Sequence, residues 1–325
     1  MKETVLIAGG AGYIGSHTNK RLSQLGYQTV VLDNLTTGHR EHCRWGELVL
    51  GDLEDLAQLQ LVFRQHSISA VLHFAALAYV GESVAQPEAY YHNNVANTLS
   101  LLRVMRESGV DKIVFSSSCA TYGDPLELPI TEAHPQAPIS PYGRSKLMVE
   151  QILADYAAAY GLSYVSLRYF NAAGADPDGE IGEWHEPETH LVPRVLEVAA
   201  GRQASVDIFG TDYQTRDGTA IRDYIHVSDL ADAHALALSH LMAGGQNEML
   251  NLGNGAGYSV AEVVTAAEQV TGRPIPVKRS PRRSGDPAAL VGSSQKAYEV
   301  LGWRPQRASL TQIVESAWRW HLTLH

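Results

Sequence analysis

Thr4-Val5-Leu6-Ile7-Ala8-Gly9-Gly10-Ala11-Gly12-Tyr13-Ile14-Gly15-Ser16-His17 is the stretch whose reading decides the fold. After Thr4 come Val5, Leu6, Ile7 and Ala8, an apolar run with two β-branched members, which suits a strand buried on both faces of a parallel sheet. Gly9, Gly12 and Gly15 follow at regular spacing, and then a helical pattern runs to about Leu25 and stops at Gly26. A strand, a tight glycine turn and a helix N-terminus together form an anion site, because free N–H groups and the positive end of the dipole meet at one spot. Asp33 closes a second strand, Thr29 to Leu32, at the distance the dinucleotide fingerprint requires. An acid there holds the adenosine ribose hydroxyls and repels a 2′-phosphate, so NAD is expected rather than NADP.

Outward from this unit the first half alternates strands and helices. A loop Asn34-Leu35-Thr36-Thr37-Gly38 precedes a strand Leu48–Leu50 ending at Gly51-Asp52, and a helix from about Leu53 to His66 leads to the strand Ala70–Phe74. A long helix after Pro87 leads to Ile113-Val114-Phe115-Ser116; a helix from Tyr142 to about Tyr160 leads to Val165-Ser166-Leu167-Arg168. Helical crossovers between apolar strands predict an α/β fold, a Rossmann-type doubly wound parallel sheet with ligands beyond the strand C-termini. That rule collects Gly9, Asp33, Asp52, Phe74-Ala75-Ala76 and Ser116-Ser117-Ser118 on one rim. Beyond Asn171 the alternation fails and short elements are expected. Residues 1–171 read as the dinucleotide domain. Residues 172–325 read as a smaller mixed α/β substrate-binding region with some segments returning to the first sheet.

The chain has 325 residues, enough for a sizeable core, and a formal net charge of −10 without long runs of like charge. This argues against nucleic acid or an anionic membrane as partner. Two cysteines, Cys43 and Cys119, suit a reducing compartment, and the first strand begins too early for a signal peptide, so a cytoplasmic enzyme is expected.

Tyr142 and Lys146 are four apart and share one helix face. A free phenol, with a pKa of about 10, is a poor base at neutral pH; a nearby ammonium that lowers it by about 3 units supplies roughly 4 kcal/mol. Ser118, at a strand end, can hydrogen-bond the same substrate hydroxyl. The spacing alone is weak, since such pairs abound on helices. It gains weight from following the fingerprint and a serine-rich strand end.

These residues, with Gly9-Gly10-Ala11-Gly12-Tyr13-Ile14-Gly15, Ser116-Ser117-Ser118-Cys119-Ala120-Thr121-Tyr122-Gly123, Pro141-Tyr142-Gly143-Arg144-Ser145-Lys146, Leu167-Arg168-Tyr169-Phe170-Asn171 and Ile221-Arg222-Asp223-Tyr224-Ile225-His226, resemble the extended short-chain dehydrogenase/reductase superfamily, and within it the nucleotide-sugar 4-epimerases. The resemblance spans nearly the whole chain. It implies one tightly held NAD, a UDP-hexose substrate epimerised through a 4-keto sugar, and a homodimer. It assigns Ser118, Tyr142 and Lys146 to catalysis. Its cofactor contacts are Gly9, Gly12, Tyr13, Ile14, Gly15, Asp33, Asn34, Leu35, Thr36, Thr37, Gly38, Asp52, Leu53, Phe74, Ala75, Ala76, Asn93, Ser116, Tyr169 and Phe170, with Tyr142 and Lys146. Its substrate contacts are Ser118, Asn171, His190, Leu191, Ile208, Phe209, Arg222, Tyr224, Arg283, Asp286 and Leu290. The basic knot Lys278-Arg279-Ser280-Pro281-Arg282-Arg283 is absorbed by the segment Arg282-Arg283-Ser284-Gly285-Asp286, and Ile208-Phe209-Gly210 is read as the uracil edge, with a plain core strand as the alternative.

Ala78 stands where the family often carries a lysine on the cofactor. No metal is expected: Pro187 between His185 and His190 prevents a helical pair, and no cysteine joins them. Most of the 14 histidines, including His240, His321 and His325, read as surface residues. Leu290 occupies the position that in the family borders the sugar C2 substituent, where tyrosine excludes N-acetyl groups. UDP-glucose and UDP-galactose are therefore the expected main pair, with UDP-N-acetyl sugars turned over more slowly. Two other readings are a sugar-nucleotide dehydratase or decarboxylase, which would need acids where Cys119-Ala120 stand, and a non-catalytic NAD-sensing module, against which the intact Ser118, Tyr142 and Lys146 speak. The helices after Pro87 and after Tyr142 are apolar on more than one face, which also predicts a homodimer.

Overall fold

A computed structural model describes residues 3–283 and 286–324. Ser284 and Gly285 of the basic segment, and His325, lie outside the described residues. The chain divides into two compact units, one of Met1–Asp124, Pro135–Arg168 and Ala231–Leu250, the other of Pro125–His134, Tyr169–Leu230 and Asn251–His325.

The first unit is built on strands β1 (Thr4–Ala8), β2 (Gln28–Asp33), β3 (Glu47–Leu50), β4 (Ile68–His73), β5 (Lys112–Ser116) and β6 (Ser163–Tyr169). With the strand Glu248–Leu252 they form, among the described residues, a seven-stranded sheet in the order Glu248–Leu252, β6, β5, β4, β1, β2, β3. The pairs β1–β2, β2–β3, β1–β4, β4–β5 and β5–β6 are parallel. Val5, Leu6, Ile7 and Ala8 have no exposed surface, as a central strand covered on both faces requires. From β1 the chain runs outward through β2 and β3, then returns to the other side of β1 as β4. The order reverses between β1 and β4, and the crevice beyond their C-termini is where such sheets bind ligands.

The helix Tyr13–Gln24 follows Gly12, its N-cap in extended conformation. The segment after Pro87 differs from the single helix expected: Pro87–Tyr91 and Asn97–Glu107 are α-helical, and His92–Ala96 between them is a π-helical turn, a feature concentrated at functional sites.

The second unit pairs Asn171–Ala173 with Tyr224–His226, and Val206–Phe209 with Val277–Ser280, both parallel; Ile221–Arg222 lies between Tyr258–Ser259 and Ala289–Leu290. The expectation of mostly short elements beyond Asn171 needs correction. Helices Leu191–Ala199, Val260–Thr271 and Leu310–His321 pack Val195, Leu196, Val263, Ile313 and Val314 into a common core. Val227–Met242 is a further helix, of 16 residues. The start of Val260–Thr271 is marked by a capping box, in which the Ser259 hydroxyl accepts from Glu262 N and the Glu262 carboxylate accepts from Ser259 N. His321, expected at the surface, is buried, and burial pushes its pKa down to about 4.

Candidate active site

The dinucleotide turn is shaped by close backbone approach. Gly9 has φ +80°, and a Cβ on it would stand 2.4 Å from Ala75 N, so only glycine fits between β1 and the segment after β4. Helix Tyr13–Gln24 then presents the first-turn amides of Tyr13, Ile14 and Gly15 as its anion-binding end. Asp33, at the end of β2, accepts from Ala11 N at 2.9 Å and Leu35 N at 2.8 Å, which keeps lone pairs of its carboxylate for a further donor. Burial pushes the Asp33 carboxyl up while the Leu35 and Ala11 amides pull it back. Leu35 has φ +58°, Thr36 N donates to Asn34 Oδ1 and Asn34 Nδ2 to Asp52 Oδ2, which ties the loop 34–38 to Asp52. A glycine cradle with an acid at the second strand end fits a dinucleotide carrying free ribose hydroxyls. Gly38 lies against Ala11, Leu53 is buried, and Phe74, next to Ala75 and Ala76, packs its ring 4.7 Å from that of His234. Asn93 lies in the π-helical turn and donates to Asn94 Oδ1 at 2.9 Å.

Asn94, which the sequence reading passed over, is the clamp of this rim. Its Oδ1 accepts from Leu77 N, and its Nδ2 donates to Leu77 O and to Ser145 Oγ, fastening the segment after β4 to the helix Pro141–Tyr160. Nothing in a lone asparagine signals this role.

That helix carries Tyr142 and Lys146. Ser140 caps it through a bond from Gly143 N to its hydroxyl, and Pro141 occupies the first turn. A Cβ on Gly143 would stand 2.3 Å from Ala120 O, so glycine lets the first turn of the helix reach the short 3₁₀ turn Cys119–Thr121. Ser118 caps that turn, its hydroxyl oxygen accepting from Ala120 N at 3.1 Å, which leaves its O–H to donate elsewhere. Lys146 is buried, donates to Ser116 O at 2.8 Å, and holds Nζ 5.9 Å from the Tyr142 ring centre. Burial pushes the Lys146 pKa down to about 7, with the Glu150 carboxylate pulling it up.

Beneath them is a polar network that the sequence reading did not see. Glu150, one further turn along the helix face of Tyr142 and Lys146, accepts from Arg168 Nε at 2.8 Å and Nη2 at 2.6 Å, from Ser117 Oγ at 2.6 Å and from Gln136 Nε2 at 3.0 Å. Arg168 also donates to Tyr122 Oη at 2.8 Å. Glu150 and Arg168 are 1% and 2% exposed, and the ion pair draws the guanidinium pKa upward against its desolvation. The network ties the end of β5, β6 and the helix Pro141–Tyr160 together.

In the second unit the structure brings Phe209, Arg222, Arg283, Asp286 and Leu290 together. Arg222 pairs with the Asp286 carboxylate, the Arg283 guanidinium stacks 3.9 Å from the Phe209 ring centre, and Leu290 lies in register with Arg222. Asn171 N donates to Asp223 O beside this group, and Tyr224 is buried, its phenol pushed up by desolvation. Ile208 packs its side chain into the core, and Phe209, next along that strand, meets Arg283. Tyr169 and Phe170 fall in the second unit, the Phe170 ring against Gly292. His190 N-caps Leu191–Ala199, so Leu191 opens that helix. The sequence rules out only a helical pairing of His185 and His190. No helix joins them, but the intervening loop turns their rings to a centre distance of 5.0 Å, with Glu183 and Glu188 between. Burial opposes their protonation, yet the two carboxylates raise His185 to about 9 and His190 to about 10.

The family described as "NAD dependent epimerase/dehydratase family" matches residues 5–253. A UDP-glucose 4-epimerase of Halalkalibacterium halodurans is 56% identical over 98% of this chain and 95% of its own. The crystal structure of UDP-glucose 4-epimerase from Brucella ovis in complex with NAD is 53% identical, covers 97% of both chains and superposes with a TM-score of 0.95. That of the Bifidobacterium longum enzyme in complex with NAD+ and UDP is 42% identical over 99% of this chain and 98% of that one, with a TM-score of 0.93. No helix among the described residues is long and apolar enough to cross a membrane. With a parallel sheet that reverses at β1, a glycine cradle closed by Asp33, and likeness running end to end, the chain belongs to the NAD dependent epimerase/dehydratase family, in the branch of the UDP-glucose 4-epimerases.

Proposed function

We propose that this chain interconverts UDP-glucose and UDP-galactose by inverting C4 of the sugar. The observation that carries the reading is the Ser118, Tyr142 and Lys146 group, buried and braced by Glu150 and Arg168 on the unit that holds the dinucleotide cradle. Bound NAD supplies the acceptor for the C4 hydride and its return to the opposite face. Tyr142 takes the proton of the sugar 4-hydroxyl and gives it back to the 4-keto oxygen. Lys146, held by Ser116 O, stabilises the phenolate by its charge. Ser118 directs its O–H to the same sugar oxygen. In the second unit Arg222 and Arg283 match the charge of a diphosphate, and the Phe209 ring that Arg283 covers offers a face for uracil.

Two further readings belong here. Helices Asn97–Glu107 and Pro141–Tyr160 expose Leu99, Met148 and Tyr160, which supports an isologous homodimer through four helices. Cys43 and Cys119 are both outside disulfides, which supports the cytoplasm as the compartment, and cell fractionation that finds the chain elsewhere ends that reading.

The experiment offers UDP-galactose and UDP-N-acetylgalactosamine to the wild type and to Leu290→Tyr. UDP-glucose is expected from the first substrate with both proteins. The N-acetyl sugar is expected to turn over more slowly with the wild type, and at least about tenfold more slowly again in the variant, the scale of a steric wall in an apolar pocket. Absence of UDP-glucose refutes the function; equal N-acetyl turnover in both proteins refutes Leu290 as the gate.

A further inference from the structure

The loop Glu183-Trp184-His185-Glu186-Pro187-Glu188-Thr189-His190 places four ligating side chains around one point. One atom from each of Glu183, His185, Glu188 and His190 lies within 4.8 Å of all the others. The histidine-to-carboxylate edges are His190 Nδ1 to Glu183 Oε1 and to Glu188 Oε1, both 3.0 Å, His185 Nδ1 to Glu188 Oε2, 3.4 Å, and His185 Nδ1 to Glu183 Oε1, 3.5 Å. A tetrahedron of nitrogen and oxygen ligands at about 2.0–2.1 Å from a central zinc has edges of about 3.3–3.4 Å. The histidine-to-carboxylate separations bracket that figure, those of Glu188 running to its two oxygens, and one atom from each side chain lies within 4.8 Å of the others.

The surroundings fix the ligands. Glu183 and Glu188 are largely buried, and Glu188 Oε1 also accepts from Thr189 N and His190 N, both at 2.7 Å, which orients its carboxylate. Glu183 O accepts from Trp320 Nε1 at 2.9 Å, and Gly182 sits so close under the Trp320 indole that a Cβ would stand 2.3 Å from the ring. The loop thus starts from a fixed point on the C-terminal helix. Two carboxylates cancel the charge of a divalent ion, and two imidazoles with two carboxylates favour a borderline transition metal over calcium or magnesium, which take oxygen ligands and keep waters.

We propose that Glu183, His185, Glu188 and His190 form a binding site for a divalent transition-metal ion of the zinc class. The site shares His190 with the substrate contacts that the resemblance implies.

The test uses the full chain without a polyhistidine tag, stripped with a chelator and then equilibrated with Zn²⁺ or Co²⁺. About one equivalent of metal per chain is expected, with the intense visible absorption of tetrahedral Co²⁺ and a raised melting temperature in zinc. His185→Gln and Glu188→Gln are each expected to lower metal affinity at least about tenfold and to lose most of the thermal shift. Should either variant fold poorly, the wild-type cobalt spectrum still decides. A wild type that takes up no metal, one whose cobalt shows only the weak absorption of the hydrated ion, or variants that bind as tightly as the wild type would show that the cluster is an ion-pair network alone.

Discussion

His73 closes β4 with its ring buried and its Nε2 2.8 Å from the Thr98 hydroxyl. Thr98 Oγ1 donates to Asn94 O, so it accepts here and His73 carries its proton on Nε2. Burial pushes the His73 pKa down to about 3, and the charge of Lys146 adds to the effect. An unfolded histidine takes its second proton near pH 6.5. Between those values the unfolded chain holds a proton that the folded chain does not, so stability is lost as pH falls from about 6.5 towards 3. With NAD held saturating, urea unfolding of His73→Gln is expected to lose stability on acidification less steeply than the wild type, by up to about 1.4 kcal/mol per pH unit. Equal slopes would refute the role. Residues of this kind were hidden in the sequence, because one histidine at a strand end looks the same whether buried or exposed. Tyr142 and Lys146 were legible because their spacing follows a fingerprint that gives it meaning.

At the scale of elements, the helix Pro141–Tyr160 is held by Glu150 and Arg168 as much as by its apolar side. Glu150→Gln leaves the Arg168 guanidinium buried without an anion, a loss of about 3–5 kcal/mol in unfolding free energy. Replacing both residues by methionine is expected to recover much of that loss, since the desolvation of both charges disappears together. A loss below about 1 kcal/mol in Glu150→Gln would contradict the account. The parallel strands could be read from the sequence because burial on both faces leaves uninterrupted apolar runs. The π-helical turn at His92–Ala96 could not, since it needs only one extra residue in an otherwise helical pattern. The convergence of Glu183, His185, Glu188 and His190 was not legible, because Pro187 speaks only against a helix and a turn can bring the same side chains together.

At the scale of the whole molecule, the first unit follows one rule, apolar strands with helical crossovers, and the reversal at β1 locates its ligand rim. The second unit obeys no single period. Its strands are two to four residues long and its helices owe their positions to a shared core, so the sequence pattern suggested mostly short elements there. The apolar residues Leu99, Met148 and Tyr160 lead to an assembly claim: sedimentation at micromolar concentration is expected to give twice the chain mass of 35.4 kDa, and a stable monomer would refute it. The central claim, that Tyr142 is the base of a sugar 4-epimerase, rests on one comparison: the kcat of Tyr142→Phe with UDP-galactose against the wild type, with bound NAD measured in both. A fall of about 10²–10⁴-fold with NAD content unchanged is the expected result, and a variant that keeps more than about a tenth of the wild-type rate contradicts the claim.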